Sequence, residues 1–350
     1  MNNENTSSLE VSILSTFLYK SFLLIGGINI LLKINKADII ISSIVGFLLG
    51  AIILFLFTKI GKILPEYNIF EKIDHLFSKN ISRIIKILLL IPVLIFCSYS
   101  LYSLSLFVQF ALLSNVDILP ISILIMSSVY YVSKKGINTL TKTSLICFLI
   151  FIILEAISIM FSLTNVNSLK ILPLFESNLQ QTLYSSFIYI ILIISPLFLL
   201  LIIPKAKINH NEKLTKYIKI FYIISGLYIF FNFILVLSII DSKLLLLVNY
   251  PELFILSKIS LLNFFDRMEN ILVFKLIFDS FFLISLSIIY ISTGVFTLIK
   301  RKFFYKYTQI IIMLIVLLIS NLFNIEFLLI PSLIIFILVN VFILLFYKLC

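Results

Sequence analysis

Four ionisable side chains lie inside stretches of sequence that are otherwise strongly apolar: Lys20, Glu155, Lys275 and Asp279. A charge in an apolar environment is costly, so such residues face the interior of a helix bundle, where they pair with one another or carry ions and protons. Because Lys275 and Asp279 are four residues apart, they share one face of a helix. We therefore regard all four as candidates for ion or proton coupling, and we expect a salt bridge from Lys20 to Glu155 or Asp279.

A structural role is the alternative for each of these charges. Glu155 could be a neutral, hydrogen-bonded side chain, since burial favours the protonated carboxyl. Lys275 lies close to the end of its apolar run, so it could extend to the membrane surface or pair with Asp279 on its own helix. Both alternatives require no ligand and no proton transfer.

Two helix-breaking pairs, Gly26-Gly27 and Ser195-Pro196, occur at the same distance from the start of an apolar run. Unwound backbone at the glycines, followed by Asn29, would expose N–H and C=O groups that suit a zwitterionic amino acid. Pro196 removes a backbone hydrogen bond and frees a carbonyl group. These residues are candidates for ligand binding; close helix packing at the glycines and a simple proline kink are the alternatives.

Two polar residues of another apolar run, Tyr102 and Gln109, are seven positions apart and so share a helix face. They complete the ligand-binding candidates together with Asp279, although packing would also explain the tyrosine. Groups for classical catalysis are scarce, because the chain has two histidines, His75 and His210, and no HExxH, GxSxG or Gly-rich phosphate motif. We expect no enzyme activity, no catalytic residue, no metal site and no cofactor.

The elements that must position these residues are membrane-spanning helices. Apolar residues make up 61% of the 350 positions and charged residues only 12%, which excludes a soluble globular protein. The apolar runs are continuous rather than alternating, which indicates helices rather than a barrel. Ten spans are predicted: 10–33, 38–58, 84–113, 118–133, 143–163, 179–203, 217–240, 269–299, 307–323 and 327–347.

The distribution of basic residues predicts the orientation of these spans. Most of the 27 Lys and Arg residues fall in the segments 59–83, 134–142, 204–216 and 300–306, which the positive-inside rule places in the cytoplasm. Both termini are then cytoplasmic. The net charge of +11 follows from this bias and needs no nucleic-acid partner.

The ten spans divide into two halves of five, about 10–163 and 179–347. Five is odd, so the second half is inverted relative to the first, as in many transporters with broken helices near the middle of the membrane. We predict an all-α integral membrane protein, residues 1–350, with two inverted five-helix repeats and broken helices 1 and 6. The semi-polar segment 241–268 is predicted to lie outside as an interfacial element.

That external segment carries recognisable motifs: Tyr250-Pro251-Glu252, Ile259-Ser260 and Phe264-Phe265-Asp266-Arg267-Met268-Glu269. They resemble the signature of the GerAB-type spore germination permeases. Looser matches to the same family are Ile25-Gly26-Gly27-Ile28, Ala37-Asp38 through Ser42 and Gly46, Leu64-Pro65 with Phe70-Glu71, and Leu172-Pro173-Leu174.

This resemblance implies a transporter-like fold of the amino acid–polyamine–organocation superfamily. It further implies the B subunit of a nutrient germinant receptor in the inner membrane of the spore, working with an A subunit and a lipoprotein C subunit. The ligand would be a small nutrient, with an amino acid as the expected class. A proton-coupled amino-acid permease, or a membrane scaffold or flippase without a small-ligand site, are the alternative functions.

Overall fold

A computed structural model describes residues 6–164, 166–171, 174–240, 242–245, 248, 250–257, 269–299, 302–322 and 325–349. These residues are almost entirely helical. Two stretches that carry the family resemblance, 258–268 and 172–173, lie outside the described residues.

The α-helices cover nearly the whole chain and are numbered here in sequence order. They are α1 (Ser8–Phe22), α2 (Ile28–Asn35), α3 (Ile39–Lys62), α4 (Ile69–Leu76), α5 (Lys79–Ala111), α6 (Ile118–Lys135), α7 (Ile137–Leu163), α8 (Leu179–Ile194), α9 (Asn211–Ile239), α10 (Ser242–Leu245), α11 (Pro251–Ser257), α12 (Glu269–Ile299), α13 (Lys302–Leu322) and α14 (Glu326–Leu349). A π-helical turn (Leu23–Gly27) joins α1 to α2, and 3-10 segments occur at Lys36–Asp38, Ser168–Ile171, Ser195–Ile202 and Lys205–Lys207. Two short strands, β1 (Thr6–Ser7) and β2 (Ile208–Asn209), pair in parallel.

Every predicted span coincides with helical structure, although several helices begin earlier than predicted. For example, α7 begins at Ile137 instead of 143 and α9 at Asn211 instead of 217. The extra turns contain polar residues, because a helix can extend beyond the hydrocarbon layer that hydropathy detects. Among the described residues, seven helical stretches are long and apolar enough to cross a membrane.

Both predicted helix breaks are present. At the first break Gly26 adopts φ 152° and ψ −14° within the π-helical turn, a conformation that interrupts the helical backbone. At the second break α8 ends at Ile194, and a 3-10 helix with Pro196 near its start continues the chain. The Ser195 hydroxyl donates a hydrogen bond to the Ile191 carbonyl oxygen at 2.6 Å, which satisfies this group within its own helix.

The two interrupted helices lie in the centre of the bundle. Helix α1 packs against α9 and α12, and α8 packs against α3. All residues from 11 to 22 in α1 and from 188 to 202 around the second break are buried. Such burial on all sides agrees with their sequences, which are apolar all round and carry few polar groups beyond serine.

Polar contacts fix both ends of this central pair. At one end the Asp38 carboxylate accepts hydrogen bonds from the backbone N–H groups of Phe175 at 2.6 Å and Ser177 at 2.7 Å. At the other end the β1–β2 pair ties the start of α1 to the segment before α9. Ser7 caps α1 by accepting from the Glu10 N–H at 3.2 Å. These contacts hold the broken helices in register with their neighbours.

Candidate functional site

A cavity of about 470 Å³ opens beside the break in the first helix. Three of the residues proposed for ligand binding, Gly26, Asn29 and Tyr102, line it. The other lining residues are Ile30, Lys33, Tyr99, Ser103, Leu106, Tyr250, Glu326, Phe327 and Ile330. This volume lies within the range of small-molecule sites.

The break itself shapes the inner wall of the cavity. Gly26 has a positive φ of 152°, which an L side chain rarely adopts. A Cβ atom at this position would lie 3.1 Å from the Tyr99 hydroxyl. Glycine therefore allows the Tyr99 hydroxyl to approach the unwound backbone closely. Tyr102, three residues further along α5, lines the same cavity.

The cavity carries one charge of each sign on exposed residues. Lys33 belongs to α2 and Glu326 is the first residue of α14; both are exposed and both line the cavity. Tyr99 is buried, whereas Tyr102 and Tyr250 are partly buried. A cation, an anion and aromatic faces around one cavity suit a small zwitterion, because each end of the ligand finds a complementary group.

A second, water-sized void of about 10 Å³ adjoins the same break. It shares Gly26, Asn29 and Tyr250 with the larger cavity, and Glu252 also lines it. Burial raises the pKa of the Glu252 carboxyl to about 7; the Lys275 ammonium opposes this shift, and the carboxylates of Glu155 and Asp279 add to it. Glu252 therefore lies at the boundary between the cavity and a group of buried charges.

The four buried charges predicted for coupling form two ion pairs. The Lys20 ammonium lies 3.2 Å from Asp279 Oδ1, and the Lys275 ammonium lies 2.6 Å from Glu155 Oε2. Lys275 Nζ is also 3.5 Å from the Ser158 hydroxyl. The salt bridge expected between Lys20 and Asp279 is present. The alternatives for Lys275 are wrong: it pairs with α7 rather than with Asp279, and its side chain is only 1% exposed.

An aromatic ring provides a further contact for Lys20. The ammonium lies 3.3 Å from the centroid of the Phe151 ring and 5.2 Å from that of Tyr228. Such contacts stabilise a cation most where water is excluded. Phe151 is one turn from Glu155 on α7, so the helix that holds one ion pair also supports the cation of the other.

The remaining ligand-binding candidates lie away from the cavity lining. Gln109 Nε2 donates to the Val116 carbonyl oxygen at 2.7 Å, which holds the end of α5 against the loop before α6. Ser195 and Pro196 are buried at the second break. Gly27 lies where a Cβ atom would meet the Phe22 carbonyl oxygen at 2.7 Å.

The other contacts of these candidates explain their positions. A Cβ atom at Gly27 would also meet Leu192 of α8 at 2.9 Å, so Gly27 serves close packing between the two broken helices. Asp279 belongs to the buried charges rather than to the cavity.

Sequence reasoning missed four residues of the site: Lys33, Tyr250, Glu252 and Glu326. Lys33 lies at the end of the first predicted span and Glu326 just before the last, and neither was a candidate. Tyr250 and Glu252 were named only as parts of a family motif. The sequence contained a signal for Lys33 and Glu326, because alternating spans place the end of α2 and the start of α14 on the same side of the membrane. Two opposite charges on that side indicate a polar opening between the helices. No pattern in the sequence shows that the short helix α11 reaches the buried charges.

Comparison with known proteins agrees with this geometry. The profile of the family described as "Spore germination protein" matches residues 11–328, nearly the whole chain. The chain belongs to the spore germination protein family. The resemblance found in the sequence is therefore confirmed. Spore germination protein KB of Bacillus subtilis (strain 168) is 23% identical over 275 residues, which cover 76% of this chain and 72% of that protein.

A solved structure of another protein has a similar fold. Mhp1, a nucleobase-cation-symport-1 family transporter in a closed conformation with bromovinylhydantoin bound, superimposes with a TM-score of 0.65. The match covers 93% of this chain and 75% of that chain, at 12% sequence identity. The family member is thus an almost entirely helical membrane protein with a transporter-like fold.

Proposed function

We propose that this spore germination protein is the B subunit of a nutrient germinant receptor and binds a small nutrient in the cavity at the first helix break. The observation that carries the proposal is that Gly26, Asn29 and Tyr102 meet around one cavity of about 470 Å³. The family membership and the transporter-like fold support it. Binding changes the conformation of the protein and involves no catalysed reaction.

The proposed architecture is one membrane domain of ten spans in two inverted repeats, 10–163 and 179–347. A helix, or a broken pair of helical segments, stands at each predicted span. Both termini lie in the cytoplasm, the segment 241–268 lies outside, and the inner membrane of the spore is the location. An A subunit and a lipoprotein C subunit are the proposed partners, as the family resemblance implies.

The proposed ligand is an amino acid bound as a zwitterion. Its carboxylate is directed to the Lys33 ammonium at the cavity wall. Its ammonium is directed to Glu326 and to the tyrosine faces of Tyr99 and Tyr102. Gln109, Ser195 and Pro196 support the binding residues from behind the cavity, since they fix the ends and breaks of the helices.

The test is a germination assay in the host. A strain that lacks the gene is complemented with the wild type, with Glu326→Gln, or with the control Glu176→Gln, an exposed carboxylate outside the cavity. Spores are scored against a panel of nutrients. We expect Glu326→Gln to raise the half-maximal concentration of one amino acid about tenfold, since charged hydrogen bonds contribute about 1.5–3 kcal/mol. Equal responses of both variants at equal protein levels would contradict the proposed cavity.

A proton-coupled amino-acid permease is the second candidate, and the buried charges of Lys20, Glu155, Lys275 and Asp279 favour it. In such a transporter a buried carboxylate carries a proton across the membrane with the substrate. Growing cells of the deletion strain distinguish the two functions. Loss of amino-acid uptake with normal germination identifies a permease, whereas loss of germination with normal uptake identifies a receptor subunit.

A further inference from the structure

Glu252 occupies a position between the outer cavity and the buried ion pairs. It is the second residue of α11, and this short helix packs against α7, α9 and α12. The water-sized void beside Glu252 also touches Gly26 and Asn29 of the helix break. Glu252 is thus the acidic residue that borders both the void and the buried charges.

Charged groups surround Glu252 on several elements. Lys275 and Asp279 face it from α12, Glu155 from α7 and Lys20 from α1. The Tyr228 hydroxyl faces it from α9. Among the residues that the structure describes, no group forms a hydrogen bond with Glu252 Oε1, and this oxygen is shielded from solvent.

The charges of this group do not balance when every member is ionised. Two ammonium groups, Lys20 and Lys275, face three carboxyl groups, Glu155, Asp279 and Glu252. The first two carboxylates each have an ammonium partner within 3.2 Å. Glu252 brings the excess negative charge, and burying an uncompensated charge is costly. One proton on Glu252 makes the whole group neutral.

We propose that the Glu252 carboxyl is a proton-binding site that links the cavity to the buried ion pairs. At slightly acidic pH it holds a proton while the cavity is empty. A nutrient ammonium at the Tyr99 end of the cavity, beside the Gly26 break that the cavity and the void share, stabilises the carboxylate instead. The proton then leaves Glu252 Oε for the water-sized void and from there passes to bulk water. No bond other than O–H breaks, and no oxidant or reductant takes part. The coupling to nutrient rests on the proposed function, whereas the proton site does not.

The electrostatics agree with this arrangement. The raised pKa of Glu252, about 7, places the change of charge in the neutral range, whereas an ordinary glutamate is ionised far below it. Above this pH the carboxylate persists even without ligand. Below it the proton must be displaced before a cationic group is stabilised. Nutrient binding is therefore linked to pH.

The proton site is tested without any nutrient, by infrared spectroscopy of the purified full-length protein in lipid nanodiscs. We expect a C=O stretching band of a protonated carboxyl that disappears as the pH rises through about 7. The band should be missing in Glu252→Gln and unchanged in the control Glu176→Gln. Glu252→Asp keeps a carboxyl and should show the band at a shifted midpoint, which gives a second reading if Glu252→Gln is poorly folded. A band that persists unchanged in both Glu252 variants overturns the proposal.

The coupling is tested separately, on spores. For the wild type, the half-maximal concentration of the amino acid that triggers germination should rise about tenfold for each pH unit below about 7, because one proton must leave. Glu252→Gln should lack this pH dependence relative to Glu176→Gln. The same slope in Glu252→Gln overturns the coupling. Failure of the proposed function appears differently: the infrared band titrates as expected, but no cavity variant changes the response to any nutrient.

Discussion

Replacement of Lys20 by methionine should destabilise the protein strongly. The ammonium lies 3.2 Å from Asp279 Oδ1, and the two side chains are 3% and 0% exposed. In Lys20→Met the Asp279 carboxylate loses its cation in an environment shielded from solvent. It must remain charged at high cost or take up a proton. Replacing both residues, as in Lys20→Met with Asp279→Leu, removes the charge and its partner together.

The magnitude follows from the geometry. Two unit charges 3.2 Å apart attract each other by about 5 kcal/mol at an effective dielectric constant of about 20. The contact of Lys20 with the Phe151 ring at 3.3 Å adds roughly 2 kcal/mol. Desolvation of both ions offsets much of this sum. Measured cases indicate a loss of about 3–5 kcal/mol for the single change, and a near-neutral or stabilising effect for the double change.

Thermal unfolding in mild detergent, followed by circular dichroism of the helices, measures these differences. If the size dependence of soluble domains extends to 350 residues, about 1–2 °C corresponds to 1 kcal/mol. Lys20→Met should then melt roughly 3–10 °C below the wild type. The double variant should recover most of this difference. Lys33→Met, which removes an exposed lysine of the next helical segment, is the control and should melt close to the wild type.

Two results would refute the reasoning. If Lys20→Met and the control Lys33→Met have the same melting temperature, the buried pair does not stabilise the fold. If the double variant melts no higher than Lys20→Met, the loss comes from packing of the lysine side chain rather than from an orphaned charge.

Two further predictions concern the backbone break and the cytoplasmic side. Gly26→Ala should lower the melting temperature by the equivalent of about 1–3 kcal/mol, because φ is 152° there. Gly61→Ala, with nothing within 4 Å of its Cβ, should be neutral or stabilising. Equal melting temperatures of Gly26→Ala and Gly61→Ala would contradict backbone strain at Gly26. Burial lowers the pKa of Lys72 to about 8, which opposes folding at neutral pH, whereas its ammonium donates a hydrogen bond to the Ile60 carbonyl oxygen at 3.2 Å. Lys72→Met removes both effects and should be more stable than the wild type at neutral pH by roughly 1 kcal/mol. This advantage should shrink as the pH rises above 8, because the wild-type lysine becomes neutral, and an advantage independent of pH would contradict it.

The positions of the long apolar helices could be predicted from hydropathy alone, whereas the short helices α4, α10 and α11 could not. A continuous apolar run has one stable structure in a membrane, so each run became a helix. The breaks could also be predicted, because Gly26-Gly27 and Ser195-Pro196 are local features of the backbone. The first residues of α7 and α9 could not be predicted, because their polar first turns lie outside the hydrocarbon layer, where hydropathy no longer indicates a helix.

The partners within the site depended on tertiary packing and were only partly predictable. A buried charge must find a counterion, so pairing of Lys20 was expected from the sequence. The choice of Glu155 for Lys275 depends on how α7 faces α12, and sequence spacing pointed instead to Asp279 on the same helix. The opposite charges of Lys33 and Glu326 are nearly 300 positions apart in the 350-residue chain. They line one cavity because α2 and α14 both pack against α8 in the folded chain.

The helix break separates the buried ion pair on α1 from the residues of α2 that line the cavity. On one side of Gly26, α1 is held by the ion pair between Lys20 and Asp279. On the other side, α2 lines the cavity with Asn29 and Lys33. A continuous helix would transmit any displacement of α2 directly to Lys20 and strain the ion pair. Under the proposed function, we expect the break at Gly26 to let α2 adjust to a ligand while the ion pair stays closed. A ligand shifts a conformational equilibrium only by its differential affinity for the two states. Strain on the ion pair would reduce the difference in ligand affinity between the two states. Without that strain, the full difference in affinity is available to shift the equilibrium.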